Sequence, residues 1–117
     1  MARTGWRSLA GLLVWVLLVT AAIEGWRSYQ TGRLAAQLAG RAGPGDILML
    51  SSERCVFCDR ARRWMTRHGV PFTECFIERD ADCAGRYQAA GAQGTPTLLV
   101  RGRPQLGFSP EQVLAGL

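Results

Sequence analysis

The chain has 117 residues, 48% of them hydrophobic, and its 14 arginines against nine acidic residues give a net charge of +5. Five of the arginines and one of the acids lie in residues 1–45, which leaves nine basic and eight acidic side chains, about +1, for the rest. This balance offers no basic surface for phosphates, so we expect no nucleic-acid partner.

The first predicted element is an uncharged apolar segment, residues 9–23. Its length alone fits the apolar region of a signal peptide, and cleavage after Ala22 is one alternative. However, Trp6 and Trp26 flank the segment about twenty residues apart, which at about 1.5 Å per residue matches a hydrocarbon core of roughly 30 Å. We therefore predict a retained transmembrane helix within residues 1–26.

The positive charge on the two sides of this segment is nearly equal. The charged residues are Arg3 and Arg7 before it, and Glu24, Arg27, Arg33 and Arg41 after it. A short basic N-terminus before a first span usually stays in the cytoplasm. We predict a single-pass protein of a bacterial inner membrane, with residues 27–45 as a spacer and a soluble domain, residues 46–117, in the periplasm. The reversed orientation would leave that domain in the cytoplasm.

The soluble part has short apolar runs alternating with helical patterns, which predicts an α/β domain with the order β-α-β-α-β-β-α. Asp80 and Ser109 are predicted helix N-caps, and Gly69 and Gly91 are predicted helix ends. The predicted strands are Ile47–Leu50, Phe72–Ile77, Thr97–Val100 and Gln105–Gly107, and the predicted helices are Cys58–His68, Ala81–Ala90 and a last one that begins at Pro110.

Two cysteines, Cys55 and Cys58, stand where the first strand ends and the first of these helices begins. Unpaired N–H groups and the helix dipole at such a position lower the pKa of a thiol. A C-x-x-C pair in this setting is typical of a thioredoxin-like redox motif. The same two sulfurs could also bind a soft metal ion.

A second motif, Gly94-Thr95-Pro96-Thr97, introduces the third strand, where a proline is compatible with strand pairing. Together with the C-x-x-C pair about forty residues upstream, it resembles the glutaredoxins of the thioredoxin superfamily over residues 46–117. The resemblance implies a thioredoxin-like fold with a four-stranded mixed sheet, and we expect an oxidoreductase with no cofactor. It also implies a cis Thr95-Pro96 bond whose loop faces the cysteines and binds an extended disulfide substrate.

The segment Gly107-Phe108-Ser109-Pro110-Glu111 stands where glutathione-binding glutaredoxins have Gly-Gly-Cys/Ser-Asp. It resembles the glutaredoxin-like redoxins that thioredoxin reductase reduces, which argues against glutathione as a partner. The expected partners are protein thiols and disulfides, with a membrane protein or a reductase as the electron donor.

The predicted mechanism assigns Cys55 as the nucleophile and Cys58 as the resolving thiol. Arg54 can favour the Cys55 thiolate by Coulomb attraction and help to bind substrate. No carboxylate lies inside the first strand, since Asp46 is at its start and Met49 in its middle. The sequence therefore identifies no proton acceptor.

Three interpretations of Cys75 and Cys83 remain open. They could form a structural disulfide, worth about 2–3 kcal/mol for so short a loop, or be free buried thiols, or form an auxiliary redox pair. An even number of cysteines in a small domain outside the cytoplasm favours the structural disulfide.

The predicted function is thiol–disulfide exchange with protein substrates, as a reductant in the cell envelope. The alternative is a module that binds Cu(I) through Cys55 and Cys58, or one in which Cys55 joins other ligands around an iron–sulfur cluster. The single histidine, His68, lies at the far end of the first soluble helix, and we predict no metal site.

Overall fold

The computed structural model describes the backbone of residues 2–117 and the side chains from residue 5 onward. Met1 and the Arg3 side chain, which belong to the predicted membrane segment and its flanking charge, lie outside the described residues. The elements are α1 (Ala2–Arg41), β1 (Ile47–Ser51), α2 (Val56–Arg67), β2 (Thr73–Phe76), α3 (Ala81–Ala89), β3 (Thr97–Val100), β4 (Arg103–Leu106) and α4 (Pro110–Gly116).

The chain divides into two compact units, one ending at Arg33 and one from Leu34 to Leu117. The first unit is most of α1. Helix residues Gly5–Arg41 include a window of mean hydropathy 1.9, so the helix is long and apolar enough to cross a membrane. A signal sequence near the N-terminus has the same length and composition.

The second unit contains a four-stranded mixed sheet in the order β2-β1-β3-β4. Strand β1 runs parallel to β2 and antiparallel to β3, and β4 pairs antiparallel with β3. The predicted fold class is confirmed. Strand β4 begins before its predicted start at Gln105 and contains Pro104, which an edge strand accommodates because one of its sides needs no N–H donor.

One face of the sheet carries the hydrophobic core. Its fully buried side chains include Met49 and Leu98 from neighbouring strands and Met65 from α2. The last turns of α1 also belong to this core, since Leu38 is 0% exposed and Leu34 packs against the cluster one turn earlier. The globular unit thus includes residues that the sequence assigns to a spacer, because α1 continues through Gly40 to Arg41.

The opposite face is covered by α3, which spans only nine residues. Successive residues of β2 point to opposite faces, so Glu74 contacts α2 whereas Cys75 is bonded to Cys83 of α3. A cavity of about 420 Å³ opens beside this disulfide, over Leu48 and Leu99. Cys75 and Cys83 are therefore paired, which fits a structural disulfide or an auxiliary redox pair and disagrees with two free thiols.

The helix ends follow the sequence signals. Gly69 and Gly91 adopt φ angles of 66° and 65° directly after the C-caps, a conformation that glycine adopts without strain. Asp80 caps α3 by accepting the backbone N–H of Asp82 at 2.9 Å. Ser109 occupies the N-cap of α4, but its hydroxyl bonds to the Glu111 carboxylate instead of to the backbone.

Candidate active site

Cys55 is the N-cap of α2, and its sulfur is the capping group. Its backbone is extended, and its Sγ lies 3.0 Å from the backbone nitrogen of Cys58, which donates a hydrogen bond to it. The two cysteines form a disulfide with a Cα–Cα distance of 5.2 Å, so the structure describes the oxidised form. The helix begins at Val56, two residues before its predicted start, and this places the sulfur against the free N–H groups.

The two sulfurs of this pair differ in accessibility. Cys55 is partly exposed, whereas Cys58 is 0% exposed. A partner disulfide can reach Cys55, but it cannot reach Cys58 without a rearrangement of α2. This difference fits the predicted roles of nucleophile and resolving thiol.

The loop that carries Cys55 is joined to the loop that carries Pro96. The Thr95–Pro96 peptide bond is cis. The Thr95 hydroxyl oxygen lies 2.9 Å from that of Ser52, three residues before Cys55, and the backbone N–H of Gly107 donates to the Pro96 carbonyl oxygen at 2.7 Å. The sequence does not reveal the Ser52 contact, because it joins hydroxyls 43 residues apart.

A network of charged side chains fixes α2 to β2 below this loop. The Arg62 guanidinium donates to both carboxylate oxygens of Glu74 at 2.7 Å, the Ser51 hydroxyl donates to Glu74 at 2.6 Å, and Arg62 also binds Asp59 at 2.7 Å. Burial alone would raise the pKa of Glu74, but the hydrogen bonds from Arg62 and Ser51 and the charge of Arg62 hold it below its ordinary value. The hydrogen bonds to Glu74 and Asp59 raise the pKa of Arg62. Glu74 therefore stays ionised and engaged.

A groove of about 510 Å³ opens beside the Pro96 loop. Phe57, 66% exposed, forms one part of its wall, and Phe108 forms another, packed against Trp64 with ring centroids 5.4 Å apart. The residues that line it are Phe57, Arg60, Ala61, Trp64, Thr95, Pro96, Leu106, Gly107 and Phe108. The sequence does not show that Arg60 and Leu106 line one groove, since α2 and β4 come together only in the folded unit.

Two further predicted features have simpler surroundings. Arg54 is exposed, and within residues 5–117 its side chain forms no hydrogen bond or ion pair and does not line the groove. Its role in substrate binding stays a prediction. His68 packs on Trp64 at the end of α2, with ring centroids 4.4 Å apart.

In the described part of the chain, no group of three or more His, Cys, Asp or Glu side chains is placed to hold a metal ion. A metal bound here would have Cys55 and Cys58 as its protein ligands. Two thiolates leave the coordination of zinc or of an iron–sulfur cluster incomplete.

Comparison with known proteins agrees with this geometry. Residues 47–104 match the family model of the glutaredoxins. No curated protein matches the chain.

Solved structures share the fold at low sequence identity. The thioredoxin-like protein BC3987 is 22% identical over 61% of this chain and 99% of its own, with a TM-score of 0.54. Methanoredoxin from Methanosarcina acetivorans is 19% identical over 68% of this chain and 90% of its own, with a TM-score of 0.52. The glutaredoxin from Methanosarcina mazei Go1 is 18% identical over 59% of this chain and 74% of its own, with a TM-score of 0.51. The globular unit of this chain is therefore a glutaredoxin-like domain with a thioredoxin fold.

Proposed function

We propose that this protein is a dithiol–disulfide oxidoreductase that reduces disulfides of protein substrates in the cell envelope. The observation that carries the proposal is the Cys55 sulfur, partly exposed and hydrogen-bonded to the N–H of Cys58 at the start of α2. In the reduced form this N–H and the helix dipole stabilise the Cys55 thiolate, which is the attacking species in disulfide exchange.

The reaction consists of two exchanges. The Cys55 thiolate attacks one sulfur of the partner disulfide, the S–S bond breaks, and the other partner sulfur leaves as a thiolate. Cys58 then loses its proton and attacks the Cys55 sulfur, which releases the second partner thiol and closes the Cys55–Cys58 disulfide. Two electrons pass to the partner, and a dithiol donor must return them before the next cycle.

The groove beside the Pro96 loop suits an extended protein segment better than glutathione. In this chain the segment that leads into α4 is Gly107-Phe108-Ser109-Pro110, and the Phe108 ring occupies the space beside it by packing on Trp64. Thr95 and Pro96 line the groove, which supports their proposed role in substrate binding. A membrane protein or a reductase is the proposed electron donor.

The proposed location is the bacterial inner membrane, with α1 as a single span and the globular unit in the periplasm. The apolar side chains of α1 support this location. Leu17 and Leu18 are more than 60% exposed in the described structure, and a hydrocarbon core would cover them. Trp6 and Trp26 suit the two interfaces.

A redox titration of the full chain in a neutral detergent, with alkylation and peptide mass mapping, tests the activity. The reductant proposal expects the Cys55–Cys58 pair to titrate at about −230 mV or below, whereas about −120 mV would identify an oxidant. If the Cys55–Cys58 pair fails to exchange with any of the dithiols used, the enzymatic proposal is overturned. Cys58→Ser should accumulate mixed disulfides through Cys55, and loss of bound metal without such adducts would favour the metal-binding alternative.

A topology measurement tests the location separately. An impermeant maleimide applied to intact spheroplasts, after mild reduction, should label Cys55 if the globular unit is periplasmic. Labelling only after the membrane is permeabilised would place the unit in the cytoplasm.

A further inference from the structure

The groove beside Cys55 combines exposed apolar surface with a positive charge. In the unit Leu34–Leu117, the large hydrophobic side chains that stay exposed are Val56, Phe57 and Leu106, each above 60%. Phe57 and Leu106 line the groove, and Val56 follows Cys55 directly. Such a concentration of apolar surface beside a reactive sulfur is suited to contact with a partner.

Arg60 is the charged residue of this groove, and no acidic residue lines it. Its guanidinium lies 5.8 Å from the centroid of the Phe57 ring, and among the described side chains it forms no ion pair. The neighbouring acids are engaged elsewhere, since Asp59 binds Arg62 and Glu53 binds Arg79. The groove is therefore positive, and a carboxylate of the partner would complement it.

The spacing of the site indicates where that carboxylate lies in the partner. Arg60 follows Cys55 by five residues, about 7.5 Å along the axis of α2. An extended peptide advances about 3.3 Å per residue, so about two residues cover this distance. The partner cysteine sits at Cys55 during exchange, and a residue about two positions from it reaches Arg60.

We propose that Arg60 determines substrate specificity, selecting protein disulfides in which an Asp or Glu lies about two residues from the attacked cysteine. Phe57 and Leu106 add contacts to an apolar residue of the same segment. This inference rests on the proposed function, because it concerns the substrate of the same two-step exchange. Arg60 acts on binding and leaves the order of bond changes unaltered.

Chromogenic peptide disulfides test the proposal. Each peptide carries one cysteine bonded to thionitrobenzoate, so attack of the reduced protein on the peptide sulfur releases the coloured thiolate. Four peptides differ only in one residue, with Asp two positions from the cysteine, Asn there, Lys there, or Asp moved to six positions away. Reduced full-length protein in neutral detergent supplies the Cys55 thiolate.

The Asp peptide should react about threefold to fivefold faster than the Asn peptide below saturation, as expected for one ion pair near the surface. The Lys peptide should be slowest, and the displaced Asp should behave like Asn. Arg60→Glu should reverse the order of the Asp and Lys peptides. Arg63→Glu is the matched control, because Arg63 is exposed, follows Arg60 by three residues on α2 and lies outside the groove. This variant should preserve the order of the Asp and Lys peptides.

A small neutral disulfide, 2-hydroxyethyl disulfide, separates the two levels of the proposal. If the wild-type protein fails to reduce it with a dithiol supply, the proposed oxidoreductase function fails. If the protein reduces it but treats the four peptides alike, or if Arg63→Glu alters the order as Arg60→Glu does, the specificity proposal is overturned. A glutathione mixed disulfide that outpaces the Asp peptide equally in wild type and Arg60→Glu would also overturn it.

Discussion

The two disulfides of this protein lie at the starts of two helices, and the electrostatic surroundings of these starts are opposite. In both helices a cysteine is the third helical residue, Cys58 in α2 and Cys83 in α3. The cap of α2 is the sulfur of Cys55, whereas the cap of α3 is the carboxylate of Asp80. Asp82 adds a second negative charge in the first turn of α3.

We propose that this difference separates an exchangeable disulfide, Cys55–Cys58, from a structural one, Cys75–Cys83. The free N–H groups of α2 favour a thiolate on Cys55, and the nearby charge of Asp59 is offset by Arg62. In α3 the backbone N–H of Asp82 is already bonded to the Asp80 carboxylate, and two acids disfavour a thiolate on Cys83, which is 1% exposed. We therefore expect the same covalent bond to differ in reactivity between the start of α2 and the start of α3.

The largest expected effect comes from removing the capping sulfur. Cys55→Ser should abolish reduction of 2-hydroxyethyl disulfide, because no accessible thiolate remains at the start of α2. The double variant Cys75→Ala/Cys83→Ala should retain turnover, because the α3 pair takes no part in the exchange. Steady-state reduction with a dithiol supply measures both, and loss of turnover in the double variant would identify Cys75 and Cys83 as an auxiliary redox pair.

The next largest effect is expected from the hydrophobic core on the α2 face of the sheet. Leu38→Ala should lower the free energy of unfolding by about 2–5 kcal/mol, because Leu38 is fully buried in the core on the α2 face. Leu17→Ala, in the exposed part of the same helix, is the matched control and should leave the unfolding of the globular unit unchanged. Thermal unfolding in detergent, followed by near-ultraviolet circular dichroism, measures both. Equal stability of the two variants would mean that the last turns of α1 do not support the domain.

Much of this arrangement could be predicted from local signals. Short-range rules on helix capping and φ angles predict the order of elements, the N-cap role of Asp80 and the glycines that end helices. The C-x-x-C pair is local as well. The contribution of Leu38 to the core could not be predicted, because the pattern of a membrane helix continues into it without a break. The Arg62–Glu74 pair was equally hidden, since surface and buried charges look alike in a sequence.

The α3 face should depend on its disulfide to a smaller but measurable extent. Cys75→Ala/Cys83→Ala should cost about 2–3 kcal/mol, because α3 covers its face with nine residues and leaves a cavity beside the bond. Denaturant unfolding of wild type and variant measures the loss. A variant as stable as the wild type would show that the packing of α3 alone holds this face.

The network between α2 and β2 should make stability depend on pH. The folded pKa of Glu74 lies below its ordinary value of 4.5, so its contribution is complete above that value and is lost as the pH falls through the folded pKa. Glu74→Gln should remove this dependence and cost about 1–3 kcal/mol at neutral pH, since Arg62 loses its ionised partner. Unfolding curves of both proteins from pH 7 to pH 3 measure it. Parallel losses below pH 4.5 would contradict the assignment.

The smallest expected effect comes from exchanging the charges at the two helix starts. Asp80→Asn/Asp82→Asn keeps a side-chain acceptor at the cap of α3 but removes two negative charges from beside Cys83, so its sulfur becomes a better leaving group. Dithiothreitol should then open the Cys75–Cys83 bond about threefold to thirtyfold faster, from a helix-terminus effect of about 0.3–1 kcal/mol for each of the two charges. Val56→Asp adds one charge at an exposed position in the first turn of α2 and should slow opening of Cys55–Cys58 about twofold to fivefold. Timed alkylation with mass mapping gives both rates. If the α3 bond opens no faster without its acids, burial alone explains its inertness, and the electrostatic half of the comparison fails.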